Sequence, residues 1–156
     1  MARRPCGRRR GGNGVLDHRQ DSLTFETRGQ GFHDITGDVA GWLAAIGAVD
    51  GLVTVFVRHT SASLTIQENA DPDVQRDLAD SLDAMAPRHH PYRHGSEGPD
   101  DMPAHIRTML TSVSLGIPVS AGRMRLGTWQ GIYLIEHRDR PHRREIALHF
   151  VGEVDG

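Results

Sequence analysis

Three histidines are the residues of this sequence best suited to chemistry. His59 follows an apolar run at 52–57, and His94 and His105 bound a polar block rich in glycine and aspartate. A neutral imidazole binds zinc and similar ions, and three histidines from separate segments are a common ligand set in catalytic sites. We expect all three to be metal ligands, with His59 also acting as an acid–base group. Their spacing forms no compact zinc motif, so ordinary structural roles remain the alternative.

Asp101 lies four residues before His105, which puts both side chains on one helix face. A carboxylate there can orient the imidazole and fix its tautomer. A helix-surface ion pair is the alternative. The predicted cofactor is a divalent metal; histidine ligands favour zinc, and the sequence leaves both zinc and magnesium open.

A second polar cluster lies between an alternating strand and a helix start. Glu68 can act there as a general base, and Asn69 can position a substrate. Free N–H groups at a helix start also suit phosphate. We predict a catalytic role for Glu68 and substrate binding by Asn69 and Asp71. Asp71 before a proline is also a sufficient helix cap, and Asn69 a sufficient turn residue.

The third polar block is Gly-Thr-Trp-Gln at 127–130. Thr128 and Gln130 supply hydrogen bonds, and Trp129 offers a flat apolar wall, so the block predicts a cleft lining that binds substrate. Core packing or a subunit interface is the alternative for Trp129. Ser61, beside His59, is a further substrate-binding candidate. We expect the three blocks to meet in one polar site.

Composition excludes several functional classes. There is no lysine for Schiff-base chemistry, and the single cysteine excludes disulfides and cysteine metal sites within one chain. Walker and Gly-x-Ser-x-Gly motifs are absent. No apolar run could span a membrane and no signal-peptide core follows the basic start, so a cytoplasmic protein is expected. The net charge of −2 offers no general attraction to nucleic acid.

Hydrophobic periodicity predicts a single domain over residues 21–156. Apolar alternation indicates strands at 23–27 and 61–67, and an apolar run indicates a strand at 52–58. Helical spacing indicates helices at 36–46 and 72–86, and Asp101 as a cap with Pro103 in the first turn indicates a third helix at 101–110. Short β segments fill the remainder. Strands with interspersed helices but no regular βαβ rhythm predict an α+β fold with largely antiparallel sheets. The arginine-rich tail, residues 1–20, is predicted to be disordered, with an RNA-binding arm as the alternative.

The polar blocks together resemble the YjbQ-like family, known as secondary thiamine-phosphate synthases. The resemblance covers about residues 23–153 and rests on the order and spacing of His-Thr-Ser-Ala-Ser-Leu-Thr-Ile at 59–66, Glu-Asn-Ala-Asp-Pro at 68–72, Asp-Met-Pro-Ala-His at 101–105, and Gly-Thr-Trp-Gln-Gly-Ile at 127–132. It implies a compact fold containing a β-sandwich, assembled as a homotrimer. It also implies a polar pocket near a subunit boundary, with Glu136 among its residues beside the three histidines.

The resemblance implies that a pyrimidine pyrophosphate is joined to a thiazole phosphate, as at least a side activity. Two departures from the family pattern stand out. Asp100-Asp101 replaces a frequent Asp-Asn, and Glu-His-Arg-Asp-Arg-Pro-His at 136–142 replaces a frequent Glu-Phe-Asp-Gly-Pro-Arg. The leading hypothesis is a metal-assisted enzyme that acts on a small phosphorylated substrate, with Glu68 or Glu136 as proton acceptor. The alternative is a non-catalytic trimer that binds a metal or a phosphorylated metabolite.

Overall fold

A computed structural model describes residues 16–155. Within this range the chain forms eight strands and three helices. Their bounds, in chain order, are β1 Asp17–Thr27, β2 Gly31–Asp34, α1 Thr36–Ala45, β3 Ala48–Val57, β4 Ala62–Glu68, α2 Pro72–Met85, α3 Asp101–Leu110, β5 Ser114–Ser120, β6 Arg123–Met124, β7 Gln130–Glu136 and β8 His142–Val154.

The strands form two antiparallel sheets. The larger sheet has the order β1-β8-β3-β5-β6, and the smaller has the order β2-β7-β4. Every strand pair described is antiparallel. The α+β class with three helices and antiparallel sheets, predicted from the sequence, is therefore confirmed.

One hydrophobic core is shared by both sheets and α1. Side chains of a strand alternate between its two faces, so every second residue is buried from Val53 to Val57 in β3 and from Ile146 to Phe150 in β8. The apolar stripe of α1, including Trp42 as predicted, completes this core. The fully buried members from the two sheets are Val53, Val55, Ala62, Leu64, Ile132, Leu134, Ile146 and Phe150.

The helices follow the sequence closely. α2 begins at Pro72 because the Asp71 carboxylate accepts a hydrogen bond from the Asp73 N–H at 2.9 Å, as a cap should. α3 begins at Asp101, but the Asp101 side chain does not cap it. That carboxylate instead reaches His94, His105 and Arg138. No helix among the described residues is long and apolar enough to cross a membrane.

Some predicted boundaries differ from the observed ones. β1 begins at Asp17 and pairs with β8 from its first residue, so the last part of the predicted tail belongs to the sheet. The remaining tail, residues 1–15, lies outside the described residues. The short β segments predicted at 111–115 and 117–120 form the single strand β5, which begins only at Ser114 and continues through Gly116. The short strand β2 was not predicted.

Candidate functional site

His94, Asp101 and His105 form a cluster at the start of α3. Their ligand atoms all lie within 4.8 Å of one another, the only such group of three or more metal-binding side chains found in residues 16–155. The Asp101 Oδ2 lies 2.7 Å from the His94 Nε2 and 3.4 Å from the His105 Nε2. Ligands on one zinc ion are about 3–4 Å apart, so this donor set fits a metal with little rearrangement.

Arg138 holds this cluster in place. Its Nε donates to the Asp100 Oδ2 at 2.9 Å, one terminal nitrogen donates to the Asp101 Oδ1, and the other donates to the Glu97 carbonyl at 2.8 Å. Asp101 is 2% exposed, so the pairing lies out of water. Burial lowers the pKa of Arg138, but the nearby carboxylates of Asp100, Asp101 and Glu97 together raise it by more, so the net change is an increase. The segment at 136–142 that departs from the family pattern thus supplies the residue that fixes Asp101.

A cavity of about 940 Å³ opens beside this cluster. It lies between the loop that follows β3 and the C-terminal half of α3. Its apolar rim includes Phe56 and Met109, and its polar lining consists of Arg58, His59, Thr60, Ser61, His105, Thr108 and Thr111. Since His105 lines the cavity and also belongs to the cluster, the two form one continuous site.

His59 lines the cavity but lies outside the metal-capable cluster. Its Nε2 accepts a hydrogen bond from the Glu145 N–H at 3.0 Å. Burial lowers the pKa of His59, and the positive charge of Arg144 lowers it further. The imidazole is therefore neutral with its proton on Nδ1, where it can donate to a ligand. This tautomer does not suit the metal-ligand role expected for His59.

Glu136 forms a buried ion pair with Arg144. The two guanidinium–carboxylate hydrogen bonds measure 2.7 and 2.6 Å, and Thr27 and the Arg138 N–H also donate to the carboxylate. Burial would raise the pKa of Glu136, but Arg144 brings it below its ordinary value. Arg144 also donates to the Ser61 Oγ at 3.0 Å. Glu136 therefore lies behind the cavity and positions Ser61 through Arg144, rather than standing free as a base.

Sequence reasoning missed a buried hydrogen-bond chain behind the cavity. The Ser63 Oγ lies 2.7 Å from both the His137 Nε2 and the Thr111 Oγ1. Alternation placed Ser63 on a polar strand face, but α3 packs over β4 and leaves Ser63 0% exposed. Burial, with a contribution from the charge of Arg107, lowers the pKa of His137 to about 4. The only sequence signal was a histidine directly after the buried end of β7.

The predicted residues of the third block meet Asn69 at the far end of the smaller sheet. The Asn69 N–H donates to the Trp129 carbonyl at 3.0 Å, and its side-chain amide donates to the Gln130 carbonyl at 3.4 Å. The Gln130 Oε1 accepts from the Gly127 N–H at 2.8 Å. Thr128, Trp129 and Gln130 are exposed.

This second cluster is remote from the histidines within one chain. β4 runs from Ala62, paired with Glu136, to Glu68, paired with Gln130, which is roughly 20 Å at about 3.3 Å per residue. Glu68 and the capping Asp71 lie at the Gln130 end. Within a single chain the expected single polar site is thus two clusters, and Glu68 is not placed to act as a base beside His59.

Comparison with known proteins identifies the family. A sequence model described as UPF0047 protein YjbQ-like matches residues 21–153. UPF0047 protein sll1880 of Synechocystis is 52% identical over 136 residues, covering 86% of this chain and 92% of the relative. UPF0047 protein YjbQ of Salmonella typhimurium is 42% identical over 135 residues, covering 86% and 98%.

Solved structures give the same result. The crystal structure of hypothetical protein APE1520 from Aeropyrum pernix aligns with a TM-score of 0.80 at 34% identity, covering 86% of this chain and 99% of that one. The family match spans nearly all of the described residues, and both sequence relatives and solved structures agree with it. The chain therefore belongs to the UPF0047 protein YjbQ-like family.

Proposed function

We propose that this protein binds a small phosphorylated metabolite in the cavity, beside a divalent metal ion held by His94, Asp101 and His105. The observation that carries the proposal is the shared position of His105, which belongs to the metal-capable cluster and to the cavity lining. Two imidazoles and one carboxylate favour zinc over magnesium. A bound ion would supply positive charge that stabilises a phosphoryl oxygen or a departing pyrophosphate.

The electrostatics of the lining favour an anionic ligand. No carboxylate side chain lines the cavity, whereas one arginine, two histidines and four hydroxyl side chains do. Arg58 is bound to Glu145 at 2.5 Å on the exposed edge, so it supplies little unbalanced charge. A metal at the cluster would therefore be the main counter-charge for a phosphate in this cavity.

The reaction this arrangement supports best is a transfer with pyrophosphate as leaving group. Joining a pyrimidine pyrophosphate to a thiazole phosphate requires little base catalysis, because the leaving group carries most of the chemical difficulty. This fits a cavity whose predicted bases are occupied, since the Nε2 of His59 accepts from a backbone N–H and Glu136 pairs with Arg144. The same occupied groups favour the second candidate, a binding protein that does not turn its ligand over.

We propose further that the active assembly is a homotrimer. Phe56 is 42% exposed on the outer face of β3, and Met109 is 79% exposed at the end of α3. Leu52 and Leu110 are exposed near them, so an apolar surface adjoins the cavity. Association would cover this surface and place the cavity at a subunit boundary. Light scattering should then give about 52 kDa, three times the chain mass of 17.2 kDa.

Metal binding tests the proposal directly. Apo-protein titrated with zinc should bind one ion per chain, and His105→Ala should weaken binding by about 100-fold or more because a direct ligand is lost. His89→Ala, which removes an exposed loop histidine outside the cluster, is the matched control. Calorimetry and elemental analysis after gel filtration provide the measurement.

The two candidate functions separate in a turnover assay. The zinc-loaded protein is mixed with the pyrimidine pyrophosphate and the thiazole phosphate, and the joined product is measured by mass spectrometry. Product formation that His105→Ala abolishes supports the transferase. Ligand binding without product supports the binding protein. Failure of the wild-type protein to bind zinc would contradict both.

A further inference from the structure

The two polar walls of the cavity differ in hydrogen-bonding character. One wall is the loop after β3, with His59 and Ser61. The other is the C-terminal end of α3, with Thr108 in its last turn and Thr111 directly after it. A hydroxyl group has one proton to donate, and a neutral imidazole has one N–H. The contacts that these four side chains make within the protein therefore determine what each can offer to a ligand.

The strand wall offers donors. The Nε2 of His59 accepts from the Glu145 N–H at 3.0 Å, which leaves the proton on Nδ1. The Ser61 Oγ accepts from Arg144 at 3.0 Å. A guanidinium only donates, so this contact leaves the Ser61 proton available to a ligand. Both groups can donate to phosphate or carboxylate oxygens.

The two threonines of the helix wall offer only acceptors to a ligand. The Thr108 hydroxyl donates to the Ala104 carbonyl at 2.9 Å, one turn back along α3. The Thr111 Oγ1 lies 2.7 Å from the Arg107 carbonyl and 2.7 Å from the Ser63 Oγ. The Thr111 hydroxyl donates its proton to one of these two oxygens, so the proton is not available to a ligand.

The hydrogen bonds of Thr111 to the Arg107 carbonyl and to buried Ser63 keep its hydroxyl proton inside the protein. A carbonyl oxygen cannot donate, so the Arg107 carbonyl always attracts the Thr111 proton. Ser63 is 0% exposed and is joined to the His137 Nε2 at 2.7 Å, so its own proton also stays within the chain. Thr108 and Thr111 thus present lone pairs, and no proton, to the cavity.

We propose that Thr108 and Thr111 make the site selective for a phosphorylated ligand that carries an N–H donor. Its anionic oxygens would face His59 and Ser61, and an amino or ring N–H group would face the helix wall. This inference rests on the proposed function, because it assumes that the cavity holds a phosphorylated molecule. It adds the chemical feature by which that molecule is recognised.

A ligand without the donor would leave part-buried oxygens facing an apolar group. An unsatisfied acceptor costs more than a hydrogen bond gains, and sites built to bind a polar group reject analogues that lack it. A matched pair of probes can measure this discrimination. 4-Aminobenzylphosphonate and 4-methylbenzylphosphonate share the anion, the ring and nearly the same size, and neither is readily hydrolysed.

The zinc-loaded full-length protein should bind the amino probe about tenfold more tightly than the methyl probe, as measured by calorimetry. Thr108→Val keeps the side-chain shape but removes one acceptor, so it should reduce this ratio to about threefold or less. Thr111→Val should do the same, and Thr108→Val is the safer variant because it leaves Ser63 untouched. Thr65→Val, a β4 threonine outside the cavity lining, should retain the wild-type ratio.

The outcomes separate this inference from the function on which it rests. Equal binding of both probes, or tighter binding of the methyl probe, overturns the selectivity and leaves anion binding in place. A wild-type preference that survives in both valine variants also overturns it, since the donor would then be recognised elsewhere. Binding of neither probe overturns the selectivity and the proposed function together.

Discussion

The two ends of the β4–β7 strand pair carry polar clusters of very different construction. At the Glu136 end, a buried ion pair, a buried histidine and a metal-capable cluster surround an open cavity. At the Gln130 end, Asn69 and Gln130 are exposed and bond mainly to nearby backbone groups. Both ends contain residue types that could do chemistry, yet only the first pairs buried charged side chains, such as Glu136 with Arg144.

The difference shows what separates a candidate site from a structural polar cluster. Hydrogen bonds between an exposed loop and its own backbone replace contacts with water and stabilise a turn at little cost. A buried carboxylate or imidazole loses its hydration, and it is retained only where partners compensate for that loss. At the Glu136 end, Arg144 positions Ser61 on the cavity wall, and Arg138 fixes Asp101 against His94 and His105. Substitutions at the two ends should therefore differ in how much they change stability and in whether they disturb the candidate site.

The largest expected effect comes from breaking the buried ion pair. Glu136→Gln leaves the Arg144 guanidinium, 3% exposed, without its charge partner. The free energy of unfolding should fall by about 3–5 kcal/mol, because the remaining charge is buried and uncompensated. Denaturant titration at pH 7 measures the change.

The arginine next to Arg144 in the sequence provides a matched control. Glu26→Gln removes the partner of Arg143 in an exposed pair whose closest atoms are 3.8 Å apart. The exposed pair is screened by water, so this variant should leave stability nearly unchanged. If both glutamines had the same small effect, burial at the Glu136 end would not carry the stabilisation ascribed to it.

His137 should give the Glu136 end a distinct pH dependence. Its pKa is lowered to about 4 by burial, against an ordinary value of 6.5, so the native state stays neutral while the unfolded chain takes up a proton. The stabilisation is complete above pH 6.5 and is lost as the pH falls toward 4. The difference between the native and unfolded pKa values corresponds to about 3 kcal/mol of unfolding free energy. The unfolding free energy should decrease by about this amount as the pH is lowered across this range.

His137→Gln should flatten this slope, because glutamine can still reach Ser63 but does not titrate. His89→Gln, at an exposed loop histidine, should keep the wild-type slope. An unchanged slope in His137→Gln would show that the loss of stability toward acid pH arises from other groups, such as the carboxylates.

Local signals in the sequence were sufficient for most of the fold. α3 was predicted at its observed bounds because Asp101 as a cap, with Pro103 in the first turn, marks a helix start without help from the rest of the chain. The Asp101 side chain nevertheless bonds to His94 and Arg138 instead of capping the helix. The tail boundary was misplaced because residues 17–20 have no apolar alternation of their own, and only pairing with β8 makes them a strand. Pairing partners far along the chain cannot be read from local composition.

The sequence predicted the residue types of the candidate site better than it predicted their contacts. His94 and His105 meet as expected, and the i,i+4 spacing of Asp101 and His105 was sufficient to predict their contact. The role of Arg138 was not predictable, because its three partners lie 37 or more residues away. The buried Glu136–Arg144 pair was missed for another reason. Glu136 ends the apolar strand β7 and Arg144 lies in the charged first residues of β8, and neither local sequence shows which group the carboxylate faces.

The smallest expected effect lies at the Gln130 end and tests whether its polar residues only support structure. Asp71→Ala removes the hydrogen bond to the Asp73 N–H and should cost about 1 kcal/mol in unfolding free energy. Asp71→Asn keeps an acceptor of the same geometry, so it should retain most of that stability while removing the charge. Neither variant should change the affinity for zinc or for the phosphonate probes, measured by calorimetry. If Asp71→Asn weakened probe binding while remaining folded, the charge at this end would contribute to the ligand site. In a trimer that contribution could come from a neighbouring chain, and the two clusters would then be halves of one site.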